Sequence, residues 1–418
     1  MLYLFFIIFV IAILTCGTVY LGPFSLRVYM SVLMIAFLLF KRFLSKKKRD
    51  TIRVDYIYWF LICVFALFLS LIANGGLTEY GLMKMCLSHY IPCILLYFAV
   101  DNFIKSREDF DKLIFVFSCI IIFDSIVTIL QYQNSPIGWG VGLFFSNEEE
   151  IESFLNYINS HDSLMGVSKL TGIFGHPVNN GFVISVLTPA LITRISRDNK
   201  IIVSIYYIMA VILALIASFL LQQRAAFFLL VFFILYHIYK KNMKRNGRII
   251  FLVFLFTIVI LFFNMNGSEI LESSKLSNSD NSVRASIWEI GLSVFTQNPI
   301  FGDYIGFWRM SDEAPHNAFI GSMAFSGLVG LIPFAFLYLK TLLDSIKVML
   351  SKNSYAQVFS YSVFIFVGVG QFHNISFLTG EVIIFLILAL MFKSSILTKP
   401  YEANRKQNSF QRSVQIVG

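Results

Sequence analysis

Residues 201–239 read Ile201-Ile-Val-Ser-Ile-Tyr-Tyr-Ile-Met-Ala-Val-Ile-Leu-Ala-Leu-Ile-Ala-Ser-Phe-Leu-Leu221, break at Gln222-Gln223-Arg224, and resume as Ala225-Ala-Phe-Phe-Leu-Leu-Val-Phe-Phe-Ile-Leu-Tyr-His-Ile-Tyr239. A helix crossing the hydrocarbon layer needs about 20 apolar residues. The stretch therefore predicts two membrane spans joined by a very tight turn. Lys240, Lys241, Lys244, Arg245 and Arg248 mark where the pair returns. The rest of the chain has the same character. Of its 418 residues, 57% are hydrophobic and only 14% charged, against about 25% charged in soluble domains. The expected fold is an all-α integral membrane protein.

Apolar runs of suitable length fall near 2–16, 27–41, 54–73, 84–100, 113–131, 179–194, 201–221, 225–239, 249–265, 318–339, 357–374 and 378–393, giving about 12 transmembrane helices. The first lacks a charged leader and a small-residue cleavage site, so it is expected to remain as a span. Loops 41–53, 101–112, 194–200, 240–248, 340–356 and the tail from 393 hold 26 of the 33 lysines and arginines. Cytoplasmic loops carry such an excess, which places these loops and both chain ends inside. Residues 1–398 then form one membrane domain, followed by a polar cytoplasmic tail over 399–418.

The net charge of +9 does not indicate a nucleic-acid partner, because the cations flank apolar runs rather than forming a basic face. The five cysteines (Cys16, Cys63, Cys86, Cys93 and Cys119) show no metal-ligand or disulfide spacing and read as packing residues. Two long segments remain on the outer side, 132–178 and 266–317. The first carries Glu148-Glu149-Glu150 and Glu152, a solvated acidic face. The second is expected to be partly helical over 282–297. There Val283, Ile287, Ile290 and Phe295 share a stripe suited to the membrane surface. Loops of this length often carry function.

The polar groups that could do chemistry are few. Arg224 sits at the outer end of two spans, where a guanidinium is costly unless paired. It reads either as a snorkelling interfacial arginine or as a clamp whose fixed fork of donors suits a diphosphate. Arg284 and Trp288 lie one helical turn apart. They make either a surface helix with an interfacial tryptophan or a second cation with a headgroup anchor. His316-Asn317 stands where the outer segment re-enters the membrane, and a neutral imidazole there can take or orient a hydroxyl proton. Gly172-Ile-Phe-Gly175-His176-Pro177-Val-Asn179-Asn180-Gly181 is a similar turn into the sixth span, of a composition that also marks ordinary turns. Asp109-Phe-Asp111 has the spacing of a nucleotide-sugar metal site, but it lies on the basic side among Lys105, Arg107 and Lys112. Asp124 and Glu381 are candidate functional charges inside the bundle. No HExxH, P-loop or dinucleotide signature occurs.

Arg284 with Trp288, Asn298-Pro299 with Gly302, His316-Asn317 with Phe319, Gly327 and Gly330, the Gly172–Pro177 turn, and Arg224 on a helical hairpin together resemble the polysaccharide polymerase and O-antigen ligase superfamily of bacterial membrane glycosyltransferases. The motifs span roughly 170–340. The family often has Ser-Arg-Gly where this chain has Gln223-Arg224-Ala225, so the arginine is kept without its hydroxyl and glycine neighbours.

The resemblance implies a GT-C-like enzyme acting at the outer face of the bacterial cytoplasmic membrane. Such enzymes join oligosaccharides carried on undecaprenyl diphosphate, with no nucleotide, metal or other cofactor. Arg224, Arg284 and His316 are the expected catalytic residues. Asn317, Trp288, His176, Asn179 and Arg309 are expected to contact substrate. The expected reaction is polymerisation of O-antigen, capsule or exopolysaccharide repeat units. Ligase-type transfer of polymer to a lipid or protein acceptor is the alternative within the same chemistry, and a flippase of lipid-linked sugars the alternative outside it. Expected partners are the lipid-linked oligosaccharides and the bilayer, with a chain-length regulator and a flippase of the same pathway as further candidates.

Overall fold

In the computed structural model, the described residues are 2–16, 19–21, 24–44, 54–76, 86–146, 151–152, 170–195, 201–221, 223–242, 278–311, 313–351, 353–373 and 375–397. The expected ninth span at 249–265 and the tail lie outside them, as does most of the acidic stretch around Glu148. The helices are α1 (Leu2–Thr15), α2 (Leu26–Leu44), α3 (Asp55–Ala73), α4 (Ile91–Phe103), α5 (Arg107–Tyr132), α6 (Pro136–Phe144), α7 (Pro177–Ile195), α8 (Ile201–Leu220), α9 (Arg224–Asn242), α10 (Asn278–Gln297), α11 (Tyr304–Met310), α12 (Ala318–Leu350), α13 (Ser354–Val369) and α14 (Val382–Leu397). A π-helical turn, Cys86–Tyr90, leads into α4. Tyr20 and Leu21 pair antiparallel with Ser25 and Phe24 between α1 and α2. Among the described residues, six helices are long and apolar enough to cross a membrane: α3, the π turn with α4, α5, α7, α8 and α12. Shorter apolar helices lie in α1, α9, α13 and α14.

The bundle is organised around α14, whose residues from Val382 to Phe392 are all buried. A helix apolar on every face is one surrounded by other helices. Its neighbours are visible in named contacts: Phe385 packs edge-on against Phe60 of α3, Phe392 against Tyr56, and Cys93 of α4 reaches the Gly380 carbonyl at 3.3 Å. Around this axis α12 packs on α3 and α13, and α7 on α5, α8, α9 and α13.

The two ends of the bundle differ in kind. At one end, ion pairs and hydrogen bonds join the basic loops. Lys393 meets Asp101 at 2.7 Å, Arg194 meets Asp111 at 2.5 Å, and Lys340 meets Asp55 at 2.9 Å and Asp344 at 3.2 Å. Lys41 donates to the Asn102 carbonyl, and Lys240 to that of Met349. Asp109 closes a capping box with Ser106 at the start of α5, and Asp111 also accepts from the Tyr355 hydroxyl. Both carboxylates of the Asp109-Phe-Asp111 spacing are thus committed to structure. All six basic segments of the sequence send groups to this one end, where the chain also begins and where α14 finishes.

At the other end α12 is broken. Gly327 has φ +55° and ψ −155° inside the helix, a conformation open to glycine at little cost. The turn Asn298-Pro299-Ile300-Phe301-Gly302 fills the break. Leu328 N–H donates to the Pro299 carbonyl at 2.9 Å, Val329 N–H to that of Ile300 at 3.1 Å, and Asp303 N–H to that of Ala324 at 2.8 Å. Backbone groups freed by the break are thereby satisfied, as buried ones must be. The helix expected over 282–297 is present as α10. Its buried face is Ile287, Gly291 and Val294, turned onto α12, where a Cβ on Gly291 would meet Ile320 at 2.7 Å. Ile290 and Phe295 flank that face, half-buried.

Candidate active site

The site lies at the end of the bundle opposite the ion pairs, where α7, α9 and α12 begin and α13 finishes. Three of the chain's six histidines gather there.

His176 is the last residue before α7. Its carbonyl accepts from Asn180 N–H at 2.9 Å, and its Nδ1 accepts from Val178 N–H at 3.2 Å. An Nδ1 that accepts leaves the proton of the neutral ring on Nε2. The turn behind it is clamped by one face of α5. Asp124 accepts from Ile173 N–H at 2.8 Å, while Gln131 accepts from Gly172 N–H and donates to Thr171, both at 3.0 Å. Asn180, with its amide nitrogen toward Asp124, donates to both carboxylate oxygens at 2.8 and 2.9 Å and accepts from Thr128 at 3.2 Å. Gly172 has φ +54°, and a Cβ there would stand 2.1 Å from Asn180 and 2.4 Å from Asp124. Asp124, Thr128, Gln131 and Asn180 are all fully buried. The amide doing this work is Asn180, whereas Asn179 is exposed.

Gln223 fixes the neighbouring helix start. Its carbonyl accepts from Phe227 N–H at 2.9 Å, and its side chain lies where a Cβ on Gly181 would be, 2.7 Å from Cγ. Arg224, the first residue of α9, therefore begins its helix beside the first turns of α7, next to Gly181, which lies five residues after His176.

His316 occupies the turn between α11 and α12 with φ +49°, a left-handed conformation uncommon outside glycine. Its Nε2 lies 3.3 Å from the Glu313 carboxylate. Asn317 caps α12: its side-chain oxygen accepts from Phe319 and Ile320 N–H at 2.9 and 3.1 Å, and its amide nitrogen donates to the Gln371 carbonyl at 3.3 Å. With its oxygen spent on the cap, Asn317 ties the His316 turn to the loop after α13.

That loop supplies the residue the sequence reading passed over. His373 was assigned to a span over 357–374, but α13 ends at Val369, and His373 N–H donates to the Val369 carbonyl at 3.0 Å just beyond it. Its ring stands perpendicular to that of His316, 6.5 Å between centroids. Burial, then the nearby Arg284, His316 and His176, lower its pKa from 6.5 to about 4. Its ring is therefore neutral near pH 7, and Arg284, His316 and His176 stand close enough to act on it electrostatically. A second His-Asn pair, His373-Asn374, was the available signal. The apolar Phe372, Ile375, Phe377 and Leu378 around it hid the break.

Arg284 is half-buried on α10 and forms no hydrogen bond or ion pair with another described residue. Trp288, one turn on, is 37% exposed, and Arg309 is exposed in the last turn of α11. Cation-capable groups from four chain segments thus converge on one rim: His176, Arg284, His316 and His373, with the start of α9 alongside. An open groove of about 730 Å³ between α1, α5, α7 and α8 lies at the opposite end. There Arg194 and Asp111 already satisfy each other, so the uncommitted charge is at the histidine end.

Apolar helices carrying this rim define a multi-pass membrane protein. Residues 209–335 match the family model described as O-antigen ligase (Wzy_C), in agreement with the resemblance to the O-antigen polymerase and ligase superfamily. The match points to a membrane glycosyltransferase-like enzyme. It carries Arg224, Arg284, Trp288, Arg309, His316 and Asn317 and stops short of His373. No curated protein matches the chain.

Proposed function

We propose that the protein polymerises lipid-linked oligosaccharide repeat units, forming a glycosidic bond at the outer face of the cytoplasmic membrane with undecaprenyl diphosphate as leaving group. The observation that carries this reading is the convergence of Arg284, His316 and His176 beside the helix start at Arg224, at the end of the bundle away from the basic loops. The positive-inside bias supports reading that end as the outward one.

The chemistry follows from charge. As the anomeric C–O bond breaks, negative charge grows on the departing diphosphate. Arg224 and Arg284 stabilise that charge more in the transition state than in the ground state, which is the condition for a rate effect. Arg284 supports this role because its guanidinium is not spent on a carboxylate of any described residue. A hydroxyl of the acceptor sugar attacks, and His316 accepts or orients its proton. If the Glu313 carboxylate accepts a hydrogen bond from Nε2, the lone pair of neutral His316 is on Nδ1. Trp288 sits where an interfacial aromatic would anchor α10 at the headgroups. The lipid diphosphate is itself the activated leaving group, so the reading calls for no nucleotide or metal.

The test is incubation of purified protein with lipid-linked repeat units, without nucleotide or metal, followed by sizing of the products. A ladder of longer lipid-linked chains is expected, and unchanged substrate would end the proposal. The description of the matching family as O-antigen ligase supports a second reading, transfer of finished polymer to a lipid or protein acceptor. Product that appears only when such an acceptor is added would favour it.

A further inference from the structure

We infer that His373 is a second catalytic imidazole of this site, the group that receives the proton of the attacking hydroxyl while His316 orients that hydroxyl. The inference rests on the glycosyl-transfer reading above and adds to it a residue outside the matched family segment.

His373 is firmly held. Its backbone closes the last turn of α13 through Val369, and Gly370 accepts from Ala318 N–H at 2.9 Å. Gln371, two residues before it, accepts from Asn317 and donates to the Tyr338 hydroxyl at 2.9 Å, which in turn donates to the Val367 carbonyl at 2.5 Å. The loop bearing His373 and the turn bearing His316 are therefore one rigid unit, joined through Asn317. Such locked supports are what keep a reacting group within reach of its target.

Next comes the state of the ring. His316 is engaged by Glu313 and His176 by Val178 N–H, whereas the ring nitrogens of His373 make no hydrogen bond to another described residue. A half-buried imidazole with no such partner among the described residues is open to one from a ligand. Its ring packs edge-on to His316, within electrostatic reach of Arg284 on α10 and His176 before α7, and His316 in turn meets the Glu313 carboxylate at 3.3 Å. Burial and the charge of Arg284 disfavour a positive charge on His373, so the ring keeps a lone pair available near neutral pH. A diphosphate held by Arg284 would offset that repulsion, raising the proton affinity of His373 when the donor is bound.

The step balances without another reagent. The acceptor oxygen forms its bond to the anomeric carbon, and the electron pair of the anomeric C–O bond leaves with the lipid diphosphate. The hydroxyl proton passes to the free ring nitrogen of His373 and from there to solvent.

The test compares wild type, His373→Ala and His373→Gln, purified and supplied with lipid-linked oligosaccharide extracted from cells lacking the gene. His373→Ala should lower kcat by about 10²-fold or more, the range of general-base catalysis, with KM for the donor within about threefold. Added imidazole should restore part of the activity of His373→Ala and none of that of His373→Gln, whose side chain fills the space. Unchanged kcat in His373→Ala would overturn the inference. So would a loss that imidazole does not relieve, which would mark a purely structural place. Should wild type itself form no glycosidic bond, the functional reading fails first. An active wild type with an equally active His373→Ala sinks only the role given to His373.

Discussion

Gly302 and Gly327 leave no room for a side chain on either. A Cβ on Gly302 would stand 2.6 Å from the Gly327 nitrogen, and one on Gly327 would stand 2.5 Å from the Gly302 nitrogen. Both have positive φ, +64° and +55°. The 298–302 turn is thus keyed into the break of α12, which holds α10 and Arg284 against the helix that His316 precedes. Gly327→Ala adds backbone strain of about 1–3 kcal/mol to a clash with backbone that cannot yield. Its unfolding temperature in detergent should fall clearly, and activity with it. A Gly327→Ala protein as stable as wild type would mean that the docked turn is not how the segment is held.

Asp124 makes a second prediction, because its carboxylate serves the His176 turn from inside the bundle. Asp124→Ala would strand Ile173 N–H and the Asn180 amide in a buried setting, and each orphaned group costs about 1–3 kcal/mol. Asp124→Asn keeps one acceptor oxygen and should be milder. Thermal unfolding of the two variants should rank wild type, Asn, then Ala, with activity following the same order. Equal stability of all three would show that the turn is held by Gln131 alone.

His373 gives the protein a pH dependence whose sign is fixed. Above its ordinary pKa of 6.5 the imidazole is neutral in both folded and unfolded chains. Between 6.5 and about 4 the unfolded chain binds a proton that the folded one refuses, so stability drops as the pH falls through that window. A shift of that size corresponds to about 3 kcal/mol. His373→Gln should therefore lose less stability than wild type on acidification from about pH 6.5 to about pH 4. Parallel melting curves across that window would contradict the assignment.

Most of the helices were legible because apolar runs of span length leave few other options. Each expected span within the described residues coincides with a helix, and the basic loops collect at one end. What could not be read depends on pairing distant in sequence. Asn180, rather than its neighbour Asn179, is buried because Asp124 and Thr128 lie more than fifty residues earlier on the facing helix. Asn317 and Gln371 are 54 residues apart, and nothing local announces that one caps the helix while holding the other. The loop after α13 was invisible for a different reason: its apolar residues continue the hydropathy of the spans it connects. The glycines and Asn298-Pro299 were visible as a pattern, but only the break at Gly327 supplies their physical cause.

Arg284 separates function from stability more cleanly than any other residue at the rim. It has no hydrogen bond or ion pair with another described residue, and it opposes protonation of His373. Removing it deletes a repulsion and, among the described residues, no hydrogen bond or ion pair. Arg284→Ala should therefore melt no lower than wild type near pH 7, and its stability should decline less on acidification, since His373 becomes easier to protonate. Bond formation on lipid-linked oligosaccharide should nevertheless fall by about 10²–10³-fold, the usual consequence of losing one group that stabilises developing negative charge. Arg284→Lys keeps the charge without the bidentate fork and should fall between the two. Measuring turnover and melting on the same preparations decides the matter. Turnover that survives in Arg284→Ala would remove the guanidinium from the chemistry, and a matching collapse in melting temperature would make it a structural residue.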